Sequence, residues 1–129
     1  MWRLTEKEME GVLSLPGSAR YSHFIKKVAD TEVICSLWDD GWALADDEKG
    51  QSHVPVWPHA KYAELCATGV WQKYQPRAIP IGEWLSAWLP GIQKDRRLVA
   101  VFPTPKERGI SVQPARMAFD LREELAKYE

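Results

Sequence analysis

The hydrophobic period of the chain changes near residue 30, and this change constrains the fold more than any other feature of the sequence. Before it, apolar side chains recur at the helical positions i, i+3, i+4 and i+7, namely Tyr21, Phe24, Ile25 and Val28. After it, residues 32–38 are rich in β-branched and aromatic side chains, which is typical of a strand. Farther along, residues 98–102 form a continuous apolar run that predicts a buried strand. Helical and strand patterns in separate blocks predict an α+β fold.

Two more strands are predicted directly after the first. Asp39-Asp40-Gly41 has the composition of a turn, so residues 42–45 are predicted to return as the second strand of a hairpin. Residues 53–57 follow a polar turn and are predicted as a third strand, with Pro55 at an edge or a bulge. The three strands are predicted to form an antiparallel meander. Residues 98–102 and 110–112 add one or two C-terminal strands.

About five helices are predicted around these strands. Thr5 and Glu8 have the spacing of a capping box at the start of the first helix, and the periodic segment around Phe24 forms the second. The other three are predicted between Pro58 and Gly69, over residues 81–89 with a stop at Pro90-Gly91, and from Pro114 to the end. A chain of 129 residues and 14.8 kDa fits one core, so residues 1–129 are predicted to form a single α+β domain.

Charge and cysteine content exclude several classes of protein. Lys and Arg number 17 and Asp and Glu number 18, so the net charge of −1 offers no general attraction for nucleic acid. No apolar run is long enough to span a membrane. Cys35 and Cys66 are too few for a disulfide framework and are predicted not to be bonded to each other. The predicted location is the reducing cytoplasm.

The usual catalytic and cofactor-binding motifs are absent from the sequence. It contains no CxxC, HxxxH or HExxH pattern, no GxGxxG or P-loop, and no GxSxG. His53 and His59 could converge across a strand-to-helix junction, but two separate boundary histidines are the favoured interpretation. We therefore predict no catalytic, cofactor-binding or metal-ligating residue, and no bound cofactor or metal. Lys73, Arg77 and Arg96 belong to a set of basic residues that could form a modest anion site, although solvated loop charge is the favoured interpretation. They become the place for a site if the strand-end tryptophans are all inaccessible.

Seven tryptophans are the most unusual feature of the composition. Trp2 is terminal, and Trp84 and Trp88 are predicted to be core residues because they are four positions apart on one helix. The arrangement of Trp38 and Trp42 depends on the hairpin register. A two-residue loop places them on opposite faces, whereas a three-residue loop with a bulge at Gly41 pairs them across the strands.

Strand ends carry a possible partner-binding patch, made of Trp38, Asp39, Asp40, Trp42, Trp57 and His59. We predict that at least one of its three tryptophans keeps exposed ring surface, with the carboxylates selecting a basic or hydrogen-bonding partner. The alternative is that all three rings fill space between sheet and helices. The predicted core comprises Phe24, Ile25, Leu65, Leu85, Trp88, Val99, Val101 and Leu121.

Several segments, taken in order, resemble the small bacterial domain-of-unknown-function family DUF-2750. They are residues 38–45, 56–59, 84–91 and 101–105, together with the closing amphipathic helix. The resemblance extends from about Pro16 to the end of the chain. It implies a small bacterial cytosolic protein and carries over no catalytic or ligand residue.

These observations favour a non-enzymatic protein-interaction module whose partner is another protein or a second copy of the chain. The alternative is a small-molecule-binding domain, or an enzyme with an unrecognised tryptophan-lined site. Neither nucleic acid nor membrane is an expected partner.

Overall fold

The computed structural model describes residues 3–128, so Trp2, which was expected to fray at the terminus, lies outside the described residues. The helices of the described residues fall into five segments. They are α1 (Glu6–Leu13), α2 (Gly17–Thr31), α3 (Ala60–Cys66), α4 (the consecutive stretches Ile81–Glu83, Trp84–Trp88 and Leu89–Lys94) and α5 (Pro114–Ala126). A single 3₁₀ turn covers Gly69–Trp71. Thr5 caps α1 as predicted, because its hydroxyl accepts the Glu8 backbone N–H at 3.1 Å.

Within the described residues, six strands form two sheets. They are β1 (Val33–Trp38), β2 (Ala45–Asp46), β3 (Ser52–Val56), β4 (Gln75–Pro80), β5 (Leu98–Val101) and β6 (Ile110–Val112). β1 pairs with β4, and the second sheet has the order β2-β3-β5-β6. The α+β class is confirmed.

The predicted meander is not formed, since β1 does not pair along its length with the segment that follows it. β1 runs antiparallel to β4 from Val33↔Pro80 to Trp38↔Gln75, and β3 runs parallel to β5. Hairpin chemistry favours the nearest segment as the partner, but β1 has buried residues on both faces and is therefore enclosed by distant elements. Pro55 has no partner in β2, because β2 pairs only with Ser52 and His53. The Pro55 carbonyl accepts the Ser36 hydroxyl at 2.6 Å.

The helix predicted to stop at Pro90-Gly91 continues to Lys94. The preceding stretch Trp84–Trp88 is π-helical, and Pro90 then falls in the first turn of Leu89–Lys94. A proline is tolerated there because the first turn of a helix has no need of its missing N–H. The π stretch therefore lets a single helical segment run through the proline.

Most of the predicted core is confirmed. Val99 and Leu121 are fully buried and Val101 is 1% exposed, in one cluster with Phe24 and Ile25. Leu65, however, is 39% exposed, and Leu85 and Trp88 are only partly buried. The prediction for Leu65 was wrong because the buried side of α3 is made of Tyr62, Ala63 and Cys66.

Candidate functional site

The turn between Trp38 and Trp42 decides how the two indoles are arranged. The Asp39 backbone N–H donates to the Gly41 carbonyl at 2.9 Å, and Asp40 adopts a positive φ of 56°. Trp38 and Trp42 form an antiparallel bridge. Of the two registers left open by the sequence, the structure has the one in which the tryptophans pair across the turn.

Trp38, Trp42 and Trp88 form what we call the tryptophan cluster. The ring centroids of Trp38 and Trp42 are 4.6 Å apart with planes at 81°, and those of Trp42 and Trp88 are 4.9 Å apart at 87°. These are edge-to-face contacts, which the charge distribution of aromatic rings favours. All three residues are partly buried. The cluster therefore joins the hairpin to the π-helical stretch of α4 and keeps part of its surface accessible.

Arg77 covers the tryptophan cluster from strand β4. Its guanidinium carbon lies 4.5 Å from the ring centroid of Trp38 and 5.5 Å from that of Trp42. Its position opposite Ser36 in the β1–β4 register brings it to the end of β1 that carries Trp38. Arg77 is exposed, and among residues 3–128 no carboxylate lies within ion-pair distance of it. The guanidinium thus lies over the rings while its N–H donors stay available.

Two indole N–H groups of the cluster differ in their hydrogen bonding. Trp88 Nε1 donates to a carboxylate oxygen of Glu83 at 2.6 Å. Trp42 Nε1 is buried and has no partner within the described part of the chain. A buried donor without an acceptor costs free energy, which the packing of the surrounding rings offsets.

The predicted patch is only partly assembled. Trp38 and Trp42 come together on either side of the exposed Asp39 and Asp40. Trp57 is fully buried, and its Nε1 donates to the Pro103 carbonyl at 2.8 Å. It is a core residue and contributes no surface, since its ring also packs against Trp71 at 6.3 Å.

His59, another member of the predicted patch, has a structural role. Its Nδ1 accepts the Lys61 backbone N–H at 3.1 Å and caps α3, whereas the ring nitrogens of His53 lie against Gln51 and Ser111. Burial lowers the pKa of His59, with a further lowering from Lys61. Of the three basic residues proposed for an anion site, Arg77 is the one that contacts the rings.

A cavity of about 530 Å³ lies on the face of the larger sheet that carries His53, Ala100 and Ser111. His53 is 6% exposed and bridges two groups: Nδ1 lies 3.0 Å from the Gln51 carbonyl oxygen and Nε2 lies 2.7 Å from Ser111 Oγ. The sequence contains no motif for this pair. Only the parallel pairing of β3 with β5 brings the two residues together.

Both cysteines are free and buried. Burial raises the pKa of Cys35 to about 11 and that of Cys66 to about 11. The Cys66 thiol donates to the Pro103 carbonyl at 3.4 Å. Neither thiol has the thiolate character that a nucleophile needs near neutral pH.

Within residues 3–128, no group of three or more His, Cys, Asp or Glu side chains is arranged to hold a metal ion. None of the helices in that range is both long and apolar enough to cross a membrane.

The fold and sites described above are those of an α+β chain with an aromatic cluster and a separate sheet-face cavity. A family model described as "Protein of unknown function (DUF2750)" matches residues 21–121. The chain belongs to this family, as the sequence resemblance implied. No curated protein and no solved structure matches the chain. The matched range includes every residue of the tryptophan cluster as well as Arg77, His53 and Ser111.

Proposed function

We propose that this chain is a protein-interaction module whose binding surface is the tryptophan cluster with Arg77. The observation that carries the proposal is the Arg77 guanidinium, stacked 4.5 Å from the Trp38 ring centroid and without an acidic partner among residues 3–128. Tryptophan and arginine are the residues most enriched in the energetic centres of protein interfaces.

The charge of the surface selects the chemistry of the partner. A stacked guanidinium presents a planar set of donors that fits a carboxylate in a bidentate arrangement. We therefore expect the partner to place an acidic side chain or a chain-terminal carboxylate on Arg77, next to an apolar side chain on the indoles. The exposed Asp39 and Asp40 at the turn would select basic or hydrogen-bonding groups around that centre.

Pre-organisation supports the same proposal. The edge-to-face contacts among Trp38, Trp42 and Trp88 fix the rings before any partner arrives, so little side-chain entropy remains to be lost on binding. The π-helical stretch that carries Trp88 is of a kind that frequently occurs at functional sites. The proposal places the protein in a reducing compartment such as the cytoplasm, where two buried free thiols persist.

Selection of random displayed peptides on the immobilised full chain tests the proposal. We expect enriched peptides to share an acidic residue or a free carboxyl terminus beside an apolar residue. Arg77→Gln should weaken their binding by at least about tenfold, because the charged hydrogen bonds are lost. Arg122→Gln is the matched control, since Arg122 is an exposed arginine on α5.

The thermal midpoint of Arg77→Gln should stay close to that of the parent chain, which separates loss of binding from loss of fold. Enrichment without any acidic preference, or equal binding to Arg77→Gln, would contradict the proposal. Light scattering adds one distinction: a dimer that dissociates in Arg77→Gln identifies a second copy of the chain as the partner.

A further inference from the structure

His53 and Ser111 lie on one face of the four-stranded sheet, on either side of Ala100. Ala100 pairs with Pro55 in β3 and with Ser111 in β6, and His53 shares the face of Pro55 because it is two residues away on the same strand. The methyl group of Ala100 leaves room for the imidazole to reach across β5. Nε2 of His53 then lies 2.7 Å from Ser111 Oγ.

The other ring nitrogen fixes the tautomer. Nδ1 lies 3.0 Å from the Gln51 carbonyl oxygen, which can only accept a hydrogen bond. Nδ1 therefore carries the hydrogen, and the lone pair of Nε2 accepts the Ser111 hydroxyl. This is the arrangement in which a histidine takes the proton of a serine nucleophile, with a third group orienting the ring.

Ser111 and His53 differ in solvent exposure in the way that a nucleophile and its general base require. Ser111 is exposed and lines the cavity, whereas His53 is 6% exposed and lies beneath it. A base shielded from water beside an accessible hydroxyl favours proton transfer between the two. The cavity, at about 530 Å³, is large enough for a small acyl compound.

The remaining cavity walls indicate the kind of substrate. Leu44, Val70 and Trp71 supply apolar surface, and Arg108 supplies positive charge. Three acidic residues also lie on the walls: Asp47 accepts the Lys49 and Gln51 backbone N–H groups, Glu107 pairs with Arg20, and Asp46 is exposed at the rim. The apolar walls favour an apolar group, and Arg108 is the wall residue that favours an attached centre that develops negative charge.

We propose that Ser111 is a nucleophile and His53 its general base in a site that hydrolyses carboxylic esters with an apolar acyl group. This activity goes beyond the proposed protein binding and uses none of the residues of the tryptophan cluster. Arg108 stabilises the oxyanion that forms at the acyl oxygen.

The reaction proceeds in two balanced steps. Ser111 Oγ forms a bond to the acyl carbon while its proton passes to His53 Nε2; the bond to the leaving alcohol then breaks, and the alcohol takes that proton. Water next adds to the acyl-serine, giving a proton to His53, and the proton returns to Ser111 as the carboxylic acid leaves. Serine and histidine are both restored, and no oxidant or second reactant is needed.

A fluorophosphonate probe on the full chain, read by intact mass and peptide mapping, tests the nucleophile. We expect a single phosphonyl adduct on Ser111, formed with loss of fluoride, and none on Ser111→Ala. His53→Asn keeps a donor for the Gln51 carbonyl and lacks the base, so its labelling rate should fall by at least about 100-fold. Ser22→Ala, which removes an exposed serine of α2, is the matched control and should label at the parent rate.

Release of p-nitrophenolate from p-nitrophenyl butyrate provides the second readout, and it should disappear in Ser111→Ala. The absence of an adduct, an adduct on another residue, or an unchanged labelling rate in His53→Asn would overturn the proposal and leave the pair as a hydrogen bond across the sheet. If His53→Asn does not fold, Arg108→Gln takes its place, and an unchanged rate of ester hydrolysis in that variant would remove Arg108 from the site.

Discussion

Arg20 and Glu107 form an ion pair across 87 positions of sequence, with 3.1 Å between Nη1 and Oε1. The Arg20 side chain is 2% exposed and the Glu107 side chain 55% exposed, so a buried cation is matched by a carboxylate at the surface. The same Nη1 donates to the Leu15 carbonyl at 2.5 Å. Helix α2 thereby holds the loop between β5 and β6, which forms one wall of the cavity that Ser111 lines.

Glu107→Gln should lower the free energy of unfolding by about 1–3 kcal/mol, because it leaves the Arg20 guanidinium buried without a counter-ion. Urea unfolding of parent and variant measures the difference. Asp95→Asn is the control: it breaks a pair with Arg97 in which both side chains are well exposed, and should cost less than about 0.5 kcal/mol. Equal costs for the two variants would show that Arg20 does not depend on Glu107.

Leu121 and Leu65 provide a matched pair on two helices. Leu121 is fully buried in the core, so Leu121→Ala should cost about 2–4 kcal/mol through lost burial and the cavity left behind. Leu65 is 39% exposed, and Leu65→Ala should cost less than about 1 kcal/mol. Chemical denaturation reports both values. A large cost at Leu65 would mean that α3 faces the core with the side predicted from the sequence.

Gly109 has a conformation and surroundings that only glycine tolerates. Its φ is +85°, and an added Cβ would lie 2.6 Å from the Val101 carbonyl oxygen and 2.8 Å from the Pro103 nitrogen. Gly109→Ala should therefore cost about 2–4 kcal/mol. Gly11→Ala, in the middle of α1 with open space around it, should instead stabilise by about 0.5–1 kcal/mol. Thermal unfolding of the two variants should move in opposite directions.

Local signals in the sequence predicted the helices and the class of fold well. The cap at Thr5, the apolar face of α2 and the buried run of β5 each depend on residues within one turn or one strand. The sheet partners were not predictable in this way. β1 pairs with β4 about 40 positions later, and β3 pairs with β5, so the choice depends on packing over the whole chain.

The candidate sites were likewise predictable only where they depend on residues close together in the sequence. The pairing of Trp38 with Trp42 was one of two registers that the turn sequence allowed. Arg77 and Trp88 join the cluster from β4 and α4, and nothing near either residue in the sequence indicates that contact. His53 meets Ser111 across β5, which requires both the parallel β3–β5 register and the antiparallel β5–β6 register.

His23 should make the stability of the fold depend on pH. Burial lowers its pKa from the ordinary value, and Lys27 lowers it further, while Glu8 opposes the shift. His23 therefore binds a proton more tightly in the unfolded chain than in the folded protein. The contribution of neutral His23 to the free energy of unfolding is fully present above the unfolded pKa of about 6.5. It is lost as the pH falls from there towards the lower pKa of the folded state.

Urea unfolding of parent and His23→Gln between about pH 7.5 and pH 5 measures this contribution, since the window brackets the unfolded histidine pKa. The variant should show a shallower fall in stability on acidification. Some fall should remain, because burial also lowers the pKa of His59. Parallel profiles for the two proteins would show that the His23 imidazole is not desolvated by the fold.

Cys35 and Cys66 should be inert while the fold is intact. Burial raises the pKa of each thiol to about 11, so at pH 8 roughly one thiol in a thousand is ionised, and access is limited as well. Iodoacetamide at pH 8 should leave native protein unmodified over a period in which urea-unfolded protein takes up two adducts. A variant with one added exposed cysteine, such as Ser22→Cys, serves as the positive control for the reagent on folded protein. Rapid modification of native Cys66 would mean that its bond to the Pro103 carbonyl opens readily, and with it the packing of Trp57, which donates to the same carbonyl oxygen.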